Sequence, residues 1–210
     1  MLEREKTVPR GIVALDEKDR KILVTLMEDP EASQQRVAQS LKISQPTVSL
    51  RLRKLKNTGL LRHWYGISLR DSGLYLAKVD VATRDVSLLE CFRFCPYFLN
   101  GFITSGKHNV VLFFVSEDLR TLEAIIDGHI RSILEVDDIE FSIVITPLKE
   151  LIHPLNITHI EDKEKSELCK KMCPAMTKGC DHCYYYREGR CAGCPLTEWY
   201  RGTLWRGLKK

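Results

Sequence analysis

The chain has 210 residues, 44% of them hydrophobic and 29% charged, and its 32 Lys and Arg against 28 Asp and Glu leave a net charge of +4. That length suffices for one large domain or for two or three small ones with separate cores. No segment approaches the roughly 20 uninterrupted apolar residues of a membrane helix, and the opening MLEREKTVPR has no apolar secretory core. A soluble, cytoplasmic protein without membrane attachment is therefore expected, and eight cysteines in that compartment point to metal ligation or redox chemistry rather than to a disulfide scaffold.

Charge is segregated along the chain. Residues 1–31 carry six basic and eight acidic side chains, whereas Ala32 to Arg70 carries eight basic ones and no Asp or Glu. Residues 71–160 are acidic again, seven against thirteen, and residues 161–210 are basic, eleven against seven. A basic window of this kind marks the part of a chain that meets a polyanion.

In chain order, Leu15, Ile22, Leu23 and Leu26 recur at helical spacing, with Asp16, Glu17 and Asp19 in the first turn and Pro30 at the end. Ser33 is a candidate N-cap for a short second helix burying Val37 and Leu41. Ser44 is a candidate N-cap for a third, with Pro46 in its first turn and Val48, Leu52 and Leu55 on one face. Gly59 stops that helix, and LLRHWYGISL follows as an alternating, strand-like pair in the position of a wing. This is a helix-turn-helix layout. Its third helix turns Gln45, Thr47, Ser49, Leu50, Arg51, Arg53 and Lys54 away from the small core, short polar groups for base edges flanked by cations for phosphates. With Ser44 and Arg62, these polar and basic residues form the candidate DNA-binding set; the plainer alternative is a solvated basic face.

From about residue 73 to 148 the pattern reads strand, helix, strand, strand, helix, strand: LYLAKVDVA, VSLLECFRF, FLNGFITSG, NVVLFFVSE, LRTLEAIIDGHIRSIL and IEFSIVITPL. The order βαββαβ predicts a ferredoxin-like sheet with helices on one face. Its other face needs cover, and a second copy of the chain is the expected cover. The unbroken apolar run Val110–Val115 fits a strand covered on both sides. Cys91 and Cys95, four residues apart at the end of the first helix of this region, are read as buried structural cysteines in preference to a redox pair.

The run from Leu15 through Leu61 resembles the helix-turn-helix of the leucine-responsive/AsnC family, the feast/famine regulators. The resemblance rests on Leu15-Asp16 with Asp19 and Ile22-Leu23, then Ile43-Ser44, Val48, Arg51, Leu55 and Gly59, and extends over about residues 15–150. It implies a homodimer or a larger ring of dimers whose paired recognition helices read a palindromic operator in double-stranded DNA. In many members the turn between the second and third strands of the βαββαβ domain reads Gly-x-x-Asp and helps bind an amino-acid effector at the dimer interface. Here Gly106, Lys107, His108 and Asn109 occupy that turn, with Asn109 in place of the Asp, so an effector site and a plain hairpin turn both stand.

The tail spaces six thiols as Cys169-x3-Cys173-x6-Cys180-x2-Cys183-x7-Cys191-x2-Cys194. Two CxxC turns complete a tetrahedral zinc site, or four thiolates hold a [4Fe-4S] cluster, and spacing alone does not choose. CxxC tails closing in Cys-Pro, as Cys194-Pro195 does, resemble iron–sulfur segments. His182, inside a CxxC turn, is expected to be exposed. With few aliphatic side chains of its own, the tail is expected to fold on its metal and to unfold without it. The aromatics Tyr184, Tyr185, Tyr186, Trp199, Tyr200 and Trp205 are expected to wrap that metal core, with nucleic-acid stacking as the other reading.

The expectation is thus an α+β protein: a winged helix-turn-helix in residues 1–70, a ferredoxin-like domain in 71–155 and a cysteine-rich metal module in 156–210. The function expected is a sequence-specific DNA-binding regulator, redox- or metal-responsive through its cysteines, and not an enzyme. The alternative is a tetrapyrrole-processing enzyme, because siroheme decarboxylases resemble the same arrangement. His108 and His129 would be its candidate residues, but no nucleophile with a base and no paired carboxylates assemble in the sequence.

Overall fold

The computed structural model describes residues 14–63, 65–133, 135–155 and 178–205. The chain divides after Trp64 into two compact units, residues 1–64 and 65–210.

In the first unit, helix α1 (Glu17–Glu28) opens on a capping box, in which Asp16 accepts from the Asp19 amide at 2.8 Å and Asp19 accepts from the Asp16 amide at 3.4 Å. Ser33 caps α2 (Gln34–Leu41) by accepting from the Arg36 amide at 3.2 Å. That helix stops at Lys42, whose left-handed φ of 53° turns the chain sharply. Ser44 caps α3 (Gln45–Asn57), and Pro46 sits in its first turn. Ile22, Val37, Ala38, Val48 and Leu52 form the core, with Leu26, Leu41, Ile43 and Leu61 packed around it.

Beyond α3 the structure departs from the expected strand pair. Within LLRHWYGISL the only strand among the described residues is β1 (Ile67–Ser68), and it pairs antiparallel with β6 (Ile152–His153) inside the second unit. Gly66 is required there by close approach, since a Cβ would lie 2.7 Å from the His153 backbone.

The second unit is built on a four-stranded antiparallel sheet in the order β3 (Phe98–Ile103), β4 (Val110–Ser116), β2 (Tyr75–Thr83), β5 (Val136–Val144). The connections make it ferredoxin-like. Alternation decides the core: Ala77, Val79 and Val81 of β2 and Val110, Leu112 and Phe114 of β4 face the helices. On the opposite side Leu76 and Val115 are buried with Leu69 and Leu99, and Phe113, Leu151 and Leu155 pack against them. Strand β4 is therefore covered on both sides at its C-terminal end, as its apolar run predicts. At the other end of that face Val111 is half-buried and Phe102 is 53% exposed.

The expected first helix is a 3₁₀ helix, Val86–Phe94. Its core contacts fall at Val86, Leu89, Cys91, Phe92 and Cys95, so that Val86, Leu89 and Phe92 follow the spacing of three of 3₁₀ geometry and Cys91 lies beside that row. The second begins as α4 (Leu119–Ile125) and ends as a π-helical turn, Ile126–Ile130.

Against the same helical face lies the described part of the tail. Trp205, 3% exposed, belongs to the main core of this unit and meets the Tyr97 ring edge-on at 5.2 Å. The Glu117 carboxylate accepts from Tyr200 Oη at 2.6 Å, from the Leu204 amide at 2.7 Å and from both the amide and hydroxyl of Thr203. Burial pushes the Glu117 carboxyl up, and these hydrogen bonds outweigh it, leaving it below its ordinary 4.5. Metal is the expected main source of folding energy for the tail, and its described part also has a share in the protein core through Trp205.

Replacing Trp205 with Ala should destabilise the second unit by about 3–5 kcal/mol, read from denaturant unfolding with a strong chelator present throughout. Unchanged stability would show that the tail contributes nothing without metal. Because the Glu117 pKa is depressed, its contribution is complete above 4.5 and is lost as pH falls through the lower folded value. Glu117→Gln should remove that part of the acid dependence.

Candidate nucleic-acid interface and thiol cavity

Helix α3 carries most of the candidate DNA-binding residues. Gln45, Arg53, Lys54 and Lys56 are exposed, as is Leu50 at 68%, and Arg62 is exposed just beyond the helix. Ser44 and Thr47 are partly engaged in the cap, with 2.8 Å between their hydroxyl oxygens, and Ser49 is half-buried. Arg51 departs from the outward orientation expected of it. Its Nη1 donates to Asp16 Oδ2 at 2.5 Å and to Asp19 Oδ1 at 2.7 Å, and the Asp19 side chain is 1% exposed. Arg51 thus ties α3 to the capping box of α1, holds the Asp16 carboxyl below its ordinary value and is not turned outward with Arg53 and Lys54. In the sequence, Asp16 and Asp19 read as first-turn acids; nothing local marks them as partners of a residue 35 and 32 positions away.

The 106–109 turn is tied down on two sides. Asn109 Oδ1 accepts from the Thr83 amide at 3.0 Å and its Nδ2 donates to the Thr83 carbonyl at 2.8 Å. Lys107 Nζ pairs with Asp138 at 2.7 Å, which lowers the Asp138 pKa. His108 Nε2 lies 3.3 Å from the same carboxylate without hydrogen-bond geometry. Gly106 adopts φ 125°, a conformation open to glycine.

In the tail, a 3₁₀ turn, Cys180–His182, leads through Cys183 into the short helix α5 (Tyr184–Arg187). Cys180, Tyr186 and Cys194 are buried together, with Cys183, Leu196 and Trp199 against them, and Arg201 stacks 3.8 Å from the Tyr186 ring centroid. The second CxxC turn is held from outside, Tyr97 Oη donating to the Gly193 carbonyl at 2.6 Å and the Ala192 amide to Thr121 Oγ1 at 2.9 Å. Gly193 has φ 81°, and a Cβ there would meet the Trp199 carbonyl.

Cys180, Cys183, Cys191 and Cys194 line one cavity of about 130 Å³. A fifth thiol, Cys95, lines it too, beside Tyr97 and His129. The two cysteines read alike in the sequence are thereby separated: Cys91 is buried in the core at 7% exposure, while Cys95 faces the cavity. The one signal that could have found Cys95 is its Cys95-Pro96 dipeptide, a copy of Cys194-Pro195. Burial pushes the Cys191 thiol up to about 11, with the neighbouring thiols adding to it and the Gly193 amide opposing it. Among the described residues no three His, Cys, Asp or Glu side chains converge closely enough to hold a single ion. Cys169 and Cys173 lie outside the described residues. The His182 side chain is 74% exposed, as expected, with Nδ1 3.0 Å from Asp181.

Residues 15–62 match the family model described as winged helix-turn-helix DNA-binding. The fold is similar to that of E. coli AsnC, with a TM-score of 0.59 and 19% identity over 65% of this chain and 95% of that one. A transcriptional regulator of Neisseria meningitidis, solved as a complex with L-Met, gives 0.58 and 23% over 68% and 98%. A transcriptional regulatory protein of Pyrococcus furiosus, a member of the AsnC family, gives 0.55 and 20% over 65% and 93%. About a third of this chain lies outside each match. No curated protein matches.

Arg51→Ala should lower the thermal stability of the first unit, because it leaves the buried Asp19 carboxylate without its cation. Its effect on DNA affinity should vanish once temperature is lowered enough to keep the unit folded. A variant of wild-type melting temperature that has lost DNA binding would instead place Arg51 on the nucleic acid.

Proposed function

We propose that the chain is a sequence-specific DNA-binding transcriptional regulator that acts as a homodimer and carries a metal, zinc or iron–sulfur, at its C-terminal cysteines. The observation that carries the reading is α3: a capped helix presenting Gln45, Leu50, Arg53 and Lys54 outward, in a segment matching a DNA-binding family model. Gln45 near the helix start suits an adenine edge, Leu50 a thymine methyl, and the cations suit phosphates. The tetrapyrrole reading would leave this basic face without a role.

Support for a dimer comes from the partly exposed end of the sheet face, where Phe102 and Phe113 meet edge-on at 6.2 Å beside Val111. Burying that patch against its own copy removes apolar surface from water. A small-molecule effector at the 106–109 turn would find Asn109 committed to Thr83, and its carboxylate would have to displace Asp138 from Lys107. Among the described residues no helix is long and apolar enough to cross a membrane.

Selection of DNA sequences from a random pool by the intact protein, followed by binding titrations across salt concentrations, tests the reading. An enriched palindromic site is expected. Arg53→Ala and Lys54→Ala should each weaken binding to all sequences and reduce the slope of log K against log salt by about 1. Gln45→Ala should relax preference at one base position by about 1–3 kcal/mol. Binding that shows no enrichment and ignores all three substitutions would overturn the proposal.

A further inference from the structure

The reading that the C-terminal cysteines bind metal can be deepened from the cavity they line. A four-thiolate zinc site has Zn–S bonds of about 2.3 Å at tetrahedral angles, which brings the sulfurs to about 3.8 Å from one another. No water-sized space survives inside such a site. Here the five thiols share the lining of a space of about 130 Å³ with Tyr97, Ile125, His129 and Tyr186, and that space is roughly ten times the ~10–15 Å³ that a single water needs. Among the described residues no three side chains converge on a one-ion position. Thiols distributed along the lining of one cavity suit a polynuclear centre, in which each sulfur meets a different iron.

Cys95 adds an independent observation, because it comes from the ferredoxin-like part of the chain. Its amide donates to the Phe92 carbonyl at 2.9 Å and its carbonyl accepts from the Phe98 amide at 3.0 Å. Pro96 then keeps its backbone extended. Its position is thus set by the end of the 3₁₀ helix and the start of β3, whereas the other four thiols belong to the tail. The Tyr97 hydroxyl beside it is turned to the Gly193 carbonyl, so this wall of the cavity offers sulfur and aromatic carbon.

We propose that this cavity holds an iron–sulfur cluster and that Cys95 is one of its thiolate ligands, the others drawn from Cys180, Cys183, Cys191 and Cys194. Each ligating thiol gives its proton to solvent as its Fe–S bond forms, and ligation itself transfers no electron. A [4Fe-4S] cubane takes four thiolates, so one of the five is left uncoordinated. Ligation then joins the fixed end of the 3₁₀ helix to the tail, and losing the cluster removes that covalent tie while leaving the Trp205 and Glu117 contacts in place.

The test uses the full chain purified without oxygen, assayed for iron, zinc and acid-labile sulfide, by visible absorption, and by electron paramagnetic resonance after dithionite reduction. A brown protein with iron and sulfide in equal amounts is expected. Cys95→Ala should lose most of the iron, and Cys95→Ser should either lose it or shift the resonance through an oxygen ligand. Cys91→Ala, a core cysteine off the cavity, should keep both iron and spectrum. Melting temperatures of the chelator-treated proteins separate ligand loss from misfolding: Cys95→Ala should melt with metal-free wild type. Iron content and spectrum indifferent to Cys95→Ala would overturn the Cys95 assignment. A colourless protein holding zinc would overturn the cluster yet uphold metal binding, and a protein holding neither would remove both.

Discussion

The helical side of the four-stranded sheet presents a broad apolar surface, and the two crossover connections are short for the task of covering it. One is a 3₁₀ helix of nine residues, and the other is a seven-residue α-helix that relaxes into a π-helical turn. The remaining gap is closed by Trp205, seated against Tyr97 and Tyr200. An aromatic of this size buries about 150–250 Å², which at about 25 cal/mol per Å² stabilises the fold by about 4–6 kcal/mol. Most other features of the second unit follow from this closure.

Once the indole is in place, the chain leading to it must run along the helices, and polar groups on α4 and at the end of β4 receive it. Glu117 takes Tyr200, Thr203 and Leu204, Thr121 takes Ala192, and Glu123 takes Arg190 at 2.8 Å. Thr121 is fully buried, and its hydroxyl accepts from that tail amide at 2.9 Å while donating to Asp118 Oδ2 at 3.3 Å. The same contacts carry Cys191 and Cys194 to Cys95. The π-helical turn contributes as well, since it brings His129 to the lining of the cavity. Apolar burial thus places the thiols, and a metal held by them would meet a site that packing has already assembled.

What could be read in the sequence follows the range of the forces involved. Ser33 and Ser44 were legible as caps because a cap is made by residues three apart. The strands were legible because alternation is local, and β4 showed its double cover in its composition. The 3₁₀ helix was not, because over nine residues apolar positions at 86, 89 and 92 satisfy a period of 3.6 nearly as well as one of 3. Strand β6 is two residues long and exists only through β1, 85 positions earlier, so no local pattern announces it. Trp205 and Cys95 failed for the same reason. The pattern around each points to its own neighbourhood in the chain, and each belongs to a surface assembled from distant segments.

The basic window shows the same limit in its electrostatics. Its eight cations with no acid among them suggest a uniformly attractive face, but acids and a backbone carbonyl from outside the window reach back into it. Arg51 is held by Asp16 and Asp19, Arg36 pairs with Asp29 at 2.6 Å, and Arg70 donates to the Pro147 carbonyl. Arg53, Lys54, Lys56 and Arg62 carry no ion pair among the described residues and are exposed. The charge that a phosphate backbone can meet is therefore concentrated on the C-terminal half of α3 and the segment just after it, while Arg51 serves the packing of α3 against α1. A helix presented to DNA needs both contributions: cations left in solvent for the phosphates, and one cation spent internally so that the helix is held at a fixed angle.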